Sequence, residues 1–169
     1  MITIGVISDT HISGPTKELC RLVQPGGVFE DAALVLHAGD MVHASVLDAF
    51  LPKDVAAVRG NMDGFDARDR FPSSRIVEAE GFRIAMMHGW GSPEGLEEAI
   101  LSRFENVDAV VYGHTHRPAN RRIKGVLVFN PGSFSSSALA RKEATVGILT
   151  LSDTIEGRIV PFGSPLKSG

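Results

Sequence analysis

Five short polar motifs, each set directly behind an apolar run, constrain this chain more than any other feature. They are Asp9-Thr10-His11, Gly39-Asp40, Gly60-Asn61-Met62-Asp63, His88-Gly89 and Gly113-His114-Thr115-His116. Short apolar runs bounded by turn residues read as buried strands. In an open α/β sheet, the loops at the carboxyl ends of strands gather on one edge, where ligands bind. The pattern therefore predicts a sheet-based fold that carries Asp9, His11, Asp40, Asn61, His88, His114 and His116 to a common rim. Asp9 and His11, two apart in a segment that reads as extended, are expected to point the same way, as are His114 and His116. Gly39, Gly60 and Gly113 each stand directly before a candidate ligand, where a missing side chain permits close approach.

The rest of the chain supports such a frame. Strands are expected at Ile2–Ser8, Ala33–Leu36 and Val55–Val58, with helices at Thr16–Val23 and Ala44–Phe50 between them. This β-α-β-α-β order favours parallel strands covered by helices. The second half reads as hairpins: 75–80 with 82–87 about Gly81, 121–124 with 126–129 about Gly125, and 145–151 with 154–160. A helix over Pro93–Phe104 places Leu96, Ile100, Leu101 and Phe104 at helical spacing, and Ala109–Tyr112 is a further buried strand. Two packed mixed sheets with helices outside are the expected result. At 169 residues, the chain is expected to be one domain, 1–169, with a frayed tail after about residue 162.

Composition removes several function classes. The apolar runs are too short to span a membrane, and the amino-terminal run lacks a basic leader, so a cytoplasmic protein is expected. One cysteine, Cys20, supports neither a disulfide framework nor a thiolate metal cluster. A formal charge of −3 argues against binding nucleic acid through bulk charge. Residues 89–95 are glycine-rich before a helix but lack the Lys-Ser or Lys-Thr of a nucleotide P-loop, and no Gly-x-Ser-x-Gly elbow occurs.

Imidazole and carboxylate donors without thiolate suit Mn, Fe, Zn, Ni or Co. Seven donors exceed the needs of one tetrahedral ion and suit two ions sharing a carboxylate. Two dications carry four positive charges and two carboxylates return two, leaving positive charge to meet an anionic phosphate.

Asp-x-His, Gly-Asp, Gly-Asn-x-Asp, His-Gly and Gly-His-Thr-His, in that order, resemble the calcineurin-like metallophosphoesterases, and the short length resembles their compact prokaryotic phosphodiesterase subgroup. The resemblance runs from Ile2 to about Ser133. It implies a four-layer αββα sandwich and a small phosphate ester as substrate. It also implies two divalent ions, Mn2+ first. One would be held by Asp9, His11, Asp40 and His116, the other by Asp40, Asn61, His88 and His114, with Asp40 bridging. The implied reaction is hydrolysis of a P–O bond by a hydroxide held between the ions. One position departs from the pattern. Many relatives carry histidine where this chain has Met62, which can neither bind phosphate nor protonate a leaving group. His43 is the candidate substitute acid. The same departure is compatible with a second expectation, a scaffold that keeps the fold without turnover, for which the eukaryotic retromer subunit is the precedent.

Other polar residues carry weaker expectations. His37 is read as a structural or supporting histidine, and Asp63 as a residue that fixes its own loop. Asn130-Pro131-Gly132-Ser133 is read as a turn near the metals. Arg117, Arg121, Arg122 and Lys124 form a basic run that is either solvated surface or a steering patch. Trp90 and Phe65 could stack on a substrate or pack beneath their loops, and the hairpin-rich second half could supply the edge of a homodimer.

Overall fold

A computed structural model describes residues 1–135 and 143–162. The expected frayed tail lies outside the described residues. Among the described residues, ten strands form two five-stranded sheets. The first takes β1 (Ile2–Ile7), β2 (Ala32–His37), β3 (Asp54–Ala57), β9 (Ala144–Leu151) and β10 (Ile155–Phe162) in the order β10-β9-β1-β2-β3. The second takes β4 (Ser74–Ala79), β5 (Phe82–Met87), β6 (Ala109–Val111), β7 (Ala119–Ile123) and β8 (Val126–Asn130) in the order β4-β5-β6-β8-β7. Both sheets are mixed. β1, β2 and β3 run parallel, as do β5, β6 and β8, while β9, β10, β4 and β7 pair antiparallel with their neighbours.

Period-two alternation builds the layers. Ile4 and Val6 of β1, Leu36 of β2, Ile84 and Met86 of β5, Ala109 and Val111 of β6, and Leu127 and Phe129 of β8 share the core between the sheets. The alternate residues face outward. Ile7 and Val35 pack under α1 (Lys17–Arg21), the 3-10 helix Ala44–Phe50 and α2 (Phe65–Arg70). Ala85, Val110, Tyr112 and Val128 pack under α3 (Leu96–Leu101). Each large side chain so buried contributes roughly 1.5–3 kcal/mol. The fold is thus the expected αββα sandwich, with thin outer layers.

Boundaries differ from the sequence reading where local chemistry is strong. α1 is capped by the Thr16 hydroxyl, which accepts from the Leu19 N–H, and it closes well before Pro25. The helix at 44–50 is 3-10, not α. α2 was not expected, because only Ala67 of its six residues is buried and no apolar stripe announces it. The hairpin turns are as read. Glu80-Gly81 and Lys124-Gly125 both hold positive φ at the two central positions, the twist that two-residue hairpins require.

Candidate metal centre

Parallel β1, β2 and β3, and parallel β5 and β6, end on one edge of the sandwich. The loops behind them carry all seven candidate ligands. Asp9, Asp40 and His88 are buried, His11, His114 and His116 are partly exposed, and Asn61 is exposed. The loops are sewn together through their backbones. Asp9 N–H donates to Gly39 O at 3.0 Å, His11 N–H to Asp40 O at 3.1 Å, and Gly113 N–H to His88 O at 3.0 Å.

The convergence does not arise by strand alternation, which corrects the extended segment expected for Asp9 and His11. Asp9, His11, Asp40, His114 and His116 all hold left-handed backbone, with φ of 54°, 49°, 57°, 66° and 55°. Each such residue costs roughly 1–3 kcal/mol and persists only where its surroundings over-determine it. The backbone bonds just named constrain Asp9, His11 and Asp40, and the His114 N–H bond to Asp9 Oδ2 constrains His114. The glycines are needed for approach. A Cβ on Gly60 would lie 2.1 Å from Asp40 Oδ1, and one on Gly113 would lie 2.0 Å from Ser8 Oγ.

Two overlapping groups of donor atoms result, Asp9 with His11 and His116, and Asp9 with Asp40 and His88. Asp9 Oδ1 lies 3.1 Å from His116 Nε2, 3.7 Å from His11 Nε2 and 3.9 Å from His88 Nε2. Asp40 Oδ2 lies 3.2 Å from His88 Nε2 and 3.9 Å from His11 Nε2. The far carboxylate oxygens are committed to protein. Asp9 Oδ2 accepts from the Ser8 hydroxyl at 2.6 Å and the His114 N–H at 3.2 Å, and Asp40 Oδ1 accepts from the Met62 N–H at 2.7 Å. The near atoms are not. Asp9 Oδ1 and His88 Nε2 are fully buried and have no hydrogen-bond partner among the described residues. Orphaned buried polar atoms are rare and costly. A cation placed against them satisfies both at once.

The tautomers agree. His88 donates from Nδ1 to Ala38 O at 2.7 Å, which fixes Nε2 toward the carboxylates; burial would lower the pKa of the ring, but Asp40, Asp9 and the Ala38 carbonyl outweigh it and raise it. His114 donates from Nε2 to Gly91 O at 2.9 Å, so its Nδ1 lone pair faces Asn61 Oδ1, 3.1 Å away. Such outward hydrogen bonds are how proteins orient metal-binding imidazoles. Burial alone would raise the Asp9 carboxyl. The neighbouring His11 and His116, then His88 and the Ser8 hydroxyl, outweigh it and hold the group well below the usual carboxylate range. Asp40 is likewise lowered, with His88 and the Met62 N–H outweighing burial. Both carboxylates are therefore anionic, and the donor set fits divalent ions.

Supporting residues stand behind this set. Asp63 is buried and binds three loop amides: Oδ1 accepts from Val42 N–H at 2.7 Å, and Oδ2 from Gly60 N–H at 2.7 Å and Asp40 N–H at 3.2 Å. It therefore ties two ligand loops together rather than only its own. His37 is wholly buried. It accepts from the Gly39 N–H at 3.2 Å and faces the Thr10 hydroxyl at 3.2 Å. Burial pushes its pKa down to about 4, so the ring is neutral. Asn130 donates to Gly113 O at 2.8 Å, and the Ser133 hydroxyl donates to Asp9 O at 3.0 Å, which gives that turn a place beside the ligand loops.

His43 is half-exposed and turns Nδ1 toward Asp66 Oδ1, 3.3 Å away, and it is in neither donor group. Met62 and Phe65 are exposed, and Trp90 lies under the Arg103 guanidinium at 4.6 Å. The basic run divides: Arg121 pairs with Glu97, Arg122 donates to Gly125 O and Ile155 O, and Arg117 has no side-chain partner among the described residues. Sequence reasoning missed Glu97, a buried carboxylate held by Tyr112 and Arg121. Its signal was present, since Glu97 falls on the stripe of Ile100, Leu101 and Phe104.

Known proteins share this fold. The chain is 33% identical over 169 residues to a probable metallophosphoesterase of Methanothermobacter thermautotrophicus, covering 96% of this chain and 94% of that one. Among solved structures, an archaeal phosphodiesterase aligns with a TM-score of 0.71 at 29% identity, covering 95% of this chain and 99% of the other. Vps29 of Entamoeba histolytica, solved with zinc, shares the fold with a TM-score of 0.69 at 24% identity over 96% of this chain and all of that one. The family profile for the calcineurin-like phosphoesterase superfamily domain matches residues 2–154, and the chain belongs to that family.

Proposed function

We propose that the chain is a dinuclear metal-dependent phosphodiesterase. The observation that carries this reading is the pair of overlapping donor groups with two buried, unpartnered atoms, Asp9 Oδ1 and His88 Nε2, at their meeting point. Asp9, His11, Asp40 and His116 are assigned to one ion, and Asp40, Asn61, His88 and His114 to the other. Asp40 Oδ2 faces one histidine of each set, as a bridge must, although Asp9 Oδ1 is also common to both donor groups. When bound, the ions, Mn2+ first with Fe, Ni, Zn or Co as alternatives, supply Lewis acidity that acidifies water and offsets charge on phosphoryl oxygens.

The protein's part is preorganisation. Ionised Asp9 and Asp40 supply negative charge at the base of the site. Bonds to Ala38 O and Gly91 O hold His88 Nε2 and His114 Nδ1 inward, as the atoms that would ligate the ions. Asn61 completes its set without adding charge. His43 is the group proposed to protonate the leaving alcohol in place of Met62. Its Nδ1 is oriented by Asp66, which leaves Nε2 for the alcohol. Likeness to an archaeal phosphodiesterase supports a diester over a monoester substrate.

Metal-reconstituted protein assayed on bis(p-nitrophenyl) phosphate and p-nitrophenyl phosphate, with metal content measured in parallel, tests this reading. Two ions per chain and preferential turnover of the diester are expected, with both lost in Asp40→Ala. A fully metallated protein inert under every metal favours the scaffold reading, with which exposed Met62 at the mouth and the Vps29 likeness are compatible.

A further inference from the structure

Beside the candidate metal centre lies a cavity of about 500 Å3. One wall is the loop behind His88, through Pro93 and Glu94, and another is the loop carrying His114 and His116, through Thr115 and Arg117. The Gly91 carbonyl, on the first loop, binds the His114 ring on the second. Thr115, which lines the cavity, stands between His114 and His116, so the space opens within one residue of two candidate ligands. The volume lies within the range that holds drug-sized organic molecules.

Most polar groups in the cavity are already committed. Glu97 is saturated by the Tyr112 hydroxyl and by Arg121 Nε at 2.7 Å. Asn120 donates to Gly157 O at 2.6 Å, and Thr115 Oγ1 takes the Arg117 N–H at 3.3 Å. Two flexible arms on facing loops remain, Arg117, which has no side-chain partner among the described residues, and Glu94, which holds only the Ser92 hydroxyl. Charge is balanced, with Arg117 and Arg121 against Glu94 and Glu97. Arg117 and Glu94, the uncommitted charges, have opposite signs, so a charged occupant of either sign would meet a like charge, and a purely apolar one would desolvate both without return. A neutral molecule rich in donors and acceptors meets neither cost.

We infer that this cavity seats the non-reacting alcohol of the diester, a neutral, hydrogen-bonding group of nucleoside size, and that Arg117 and Glu94 determine its specificity. The inference rests on the phosphodiesterase reading and is tested so that the two can fail separately. In the first arm, the 15N-labelled full chain, loaded with zinc because it is diamagnetic, is titrated with thymidine. Saturable amide shifts confined to residues 93–97 and 112–121 are expected, with affinity reduced about tenfold in the Arg117→Ala/Glu94→Ala double variant. Absent or scattered shifts overturn the proposal.

In the second arm, the p-nitrophenyl ester of thymidine 5′-phosphate is compared with methyl p-nitrophenyl phosphate, which has the same leaving group. The wild type is expected to favour the nucleoside ester at least about tenfold in kcat/KM, through KM, and the double variant to lose that ratio. Equal kcat/KM on both esters overturns the cavity assignment while leaving the phosphodiesterase standing. Turnover of neither ester sinks the phosphodiesterase reading, and the thymidine titration then decides the cavity alone.

Discussion

Asp9, Asp40 and His88 lie buried where the two sheets meet, whereas His11, Asn61, His114 and His116 stand at the solvent edge of the same centre. The buried set is held by protein: backbone amides, the Ser8 hydroxyl, Ala38 O and the Asp63 clamp fix it from behind. The outer set is held more loosely, by Gly91 O at His114 and by contacts among the candidate ligands themselves, such as His11 Nε2 to His116 Nε2 at 3.3 Å. The inner residues thus come preorganised and carry the electrostatic debt of burial, while the outer ones are completed by whatever binds between them.

The sharpest way to break this comparison is to truncate one residue from each layer. Asp40→Ala should cost about 10³-fold or more in diester turnover and abolish tight metal binding, since it removes a buried anion from both proposed sets. Asn61→Ala should cost only about 10–100-fold and recover as metal concentration is raised. Equal losses, read by kcat/KM across a metal titration, would erase the distinction between the layers.

Acid should strike the interior next. His37 stays neutral when folded, with a pKa near 4 against 6.5 for the unfolded side chain. As pH falls from 6.5 to 4, the unfolded chain takes up a proton that the folded chain refuses, so stability falls across that window. The full loss is about 3 kcal/mol at or below pH 4. Denaturant unfolding in chelator should show this slope in the wild type and not in His37→Gln.

A finer cut removes the clamp without touching any candidate ligand. Asp63→Ala should weaken metal affinity about 10–100-fold through the loops it joins, with Asp63→Asn intermediate. Calorimetric metal titration reads the effect, and unaltered affinity would confine Asp63 to stability. The smallest effect belongs to the mouth. Met62→His should raise turnover about tenfold on diesters with poor alkoxide leaving groups and leave p-nitrophenolate esters unchanged. Equal gains on both substrates would show that proton donation is not what position 62 lacks.

The frame was legible because its determinants are local. Apolar runs of the right length became β1, β2, β6 and β8, and glycines at 81 and 125 marked true hairpins. The gathering of the seven candidate residues at one edge was legible too, because each follows a strand whose carboxyl end lies there. What stayed hidden depends on tertiary pairing. Nothing local settles that His11, His114 and His116 adopt left-handed backbone, since histidine, though enriched there, adopts it in a small minority of cases and the constraint comes from partner loops. α2 lacks an apolar face because it lies at the surface, and Arg121 read as solvated because its partner Glu97 is 24 residues away.

Ligands to each proposed ion come from both sheets, with Asp9, His11 and Asp40 following strands of one and His88, His114 and His116 following strands of the other. The Asp9 loop is further pinned by Ser133–Ser135, and β1 is flanked by β9, which is made late in synthesis. Ions held there would tie one sheet to the other at this edge, as a rivet does across a seam.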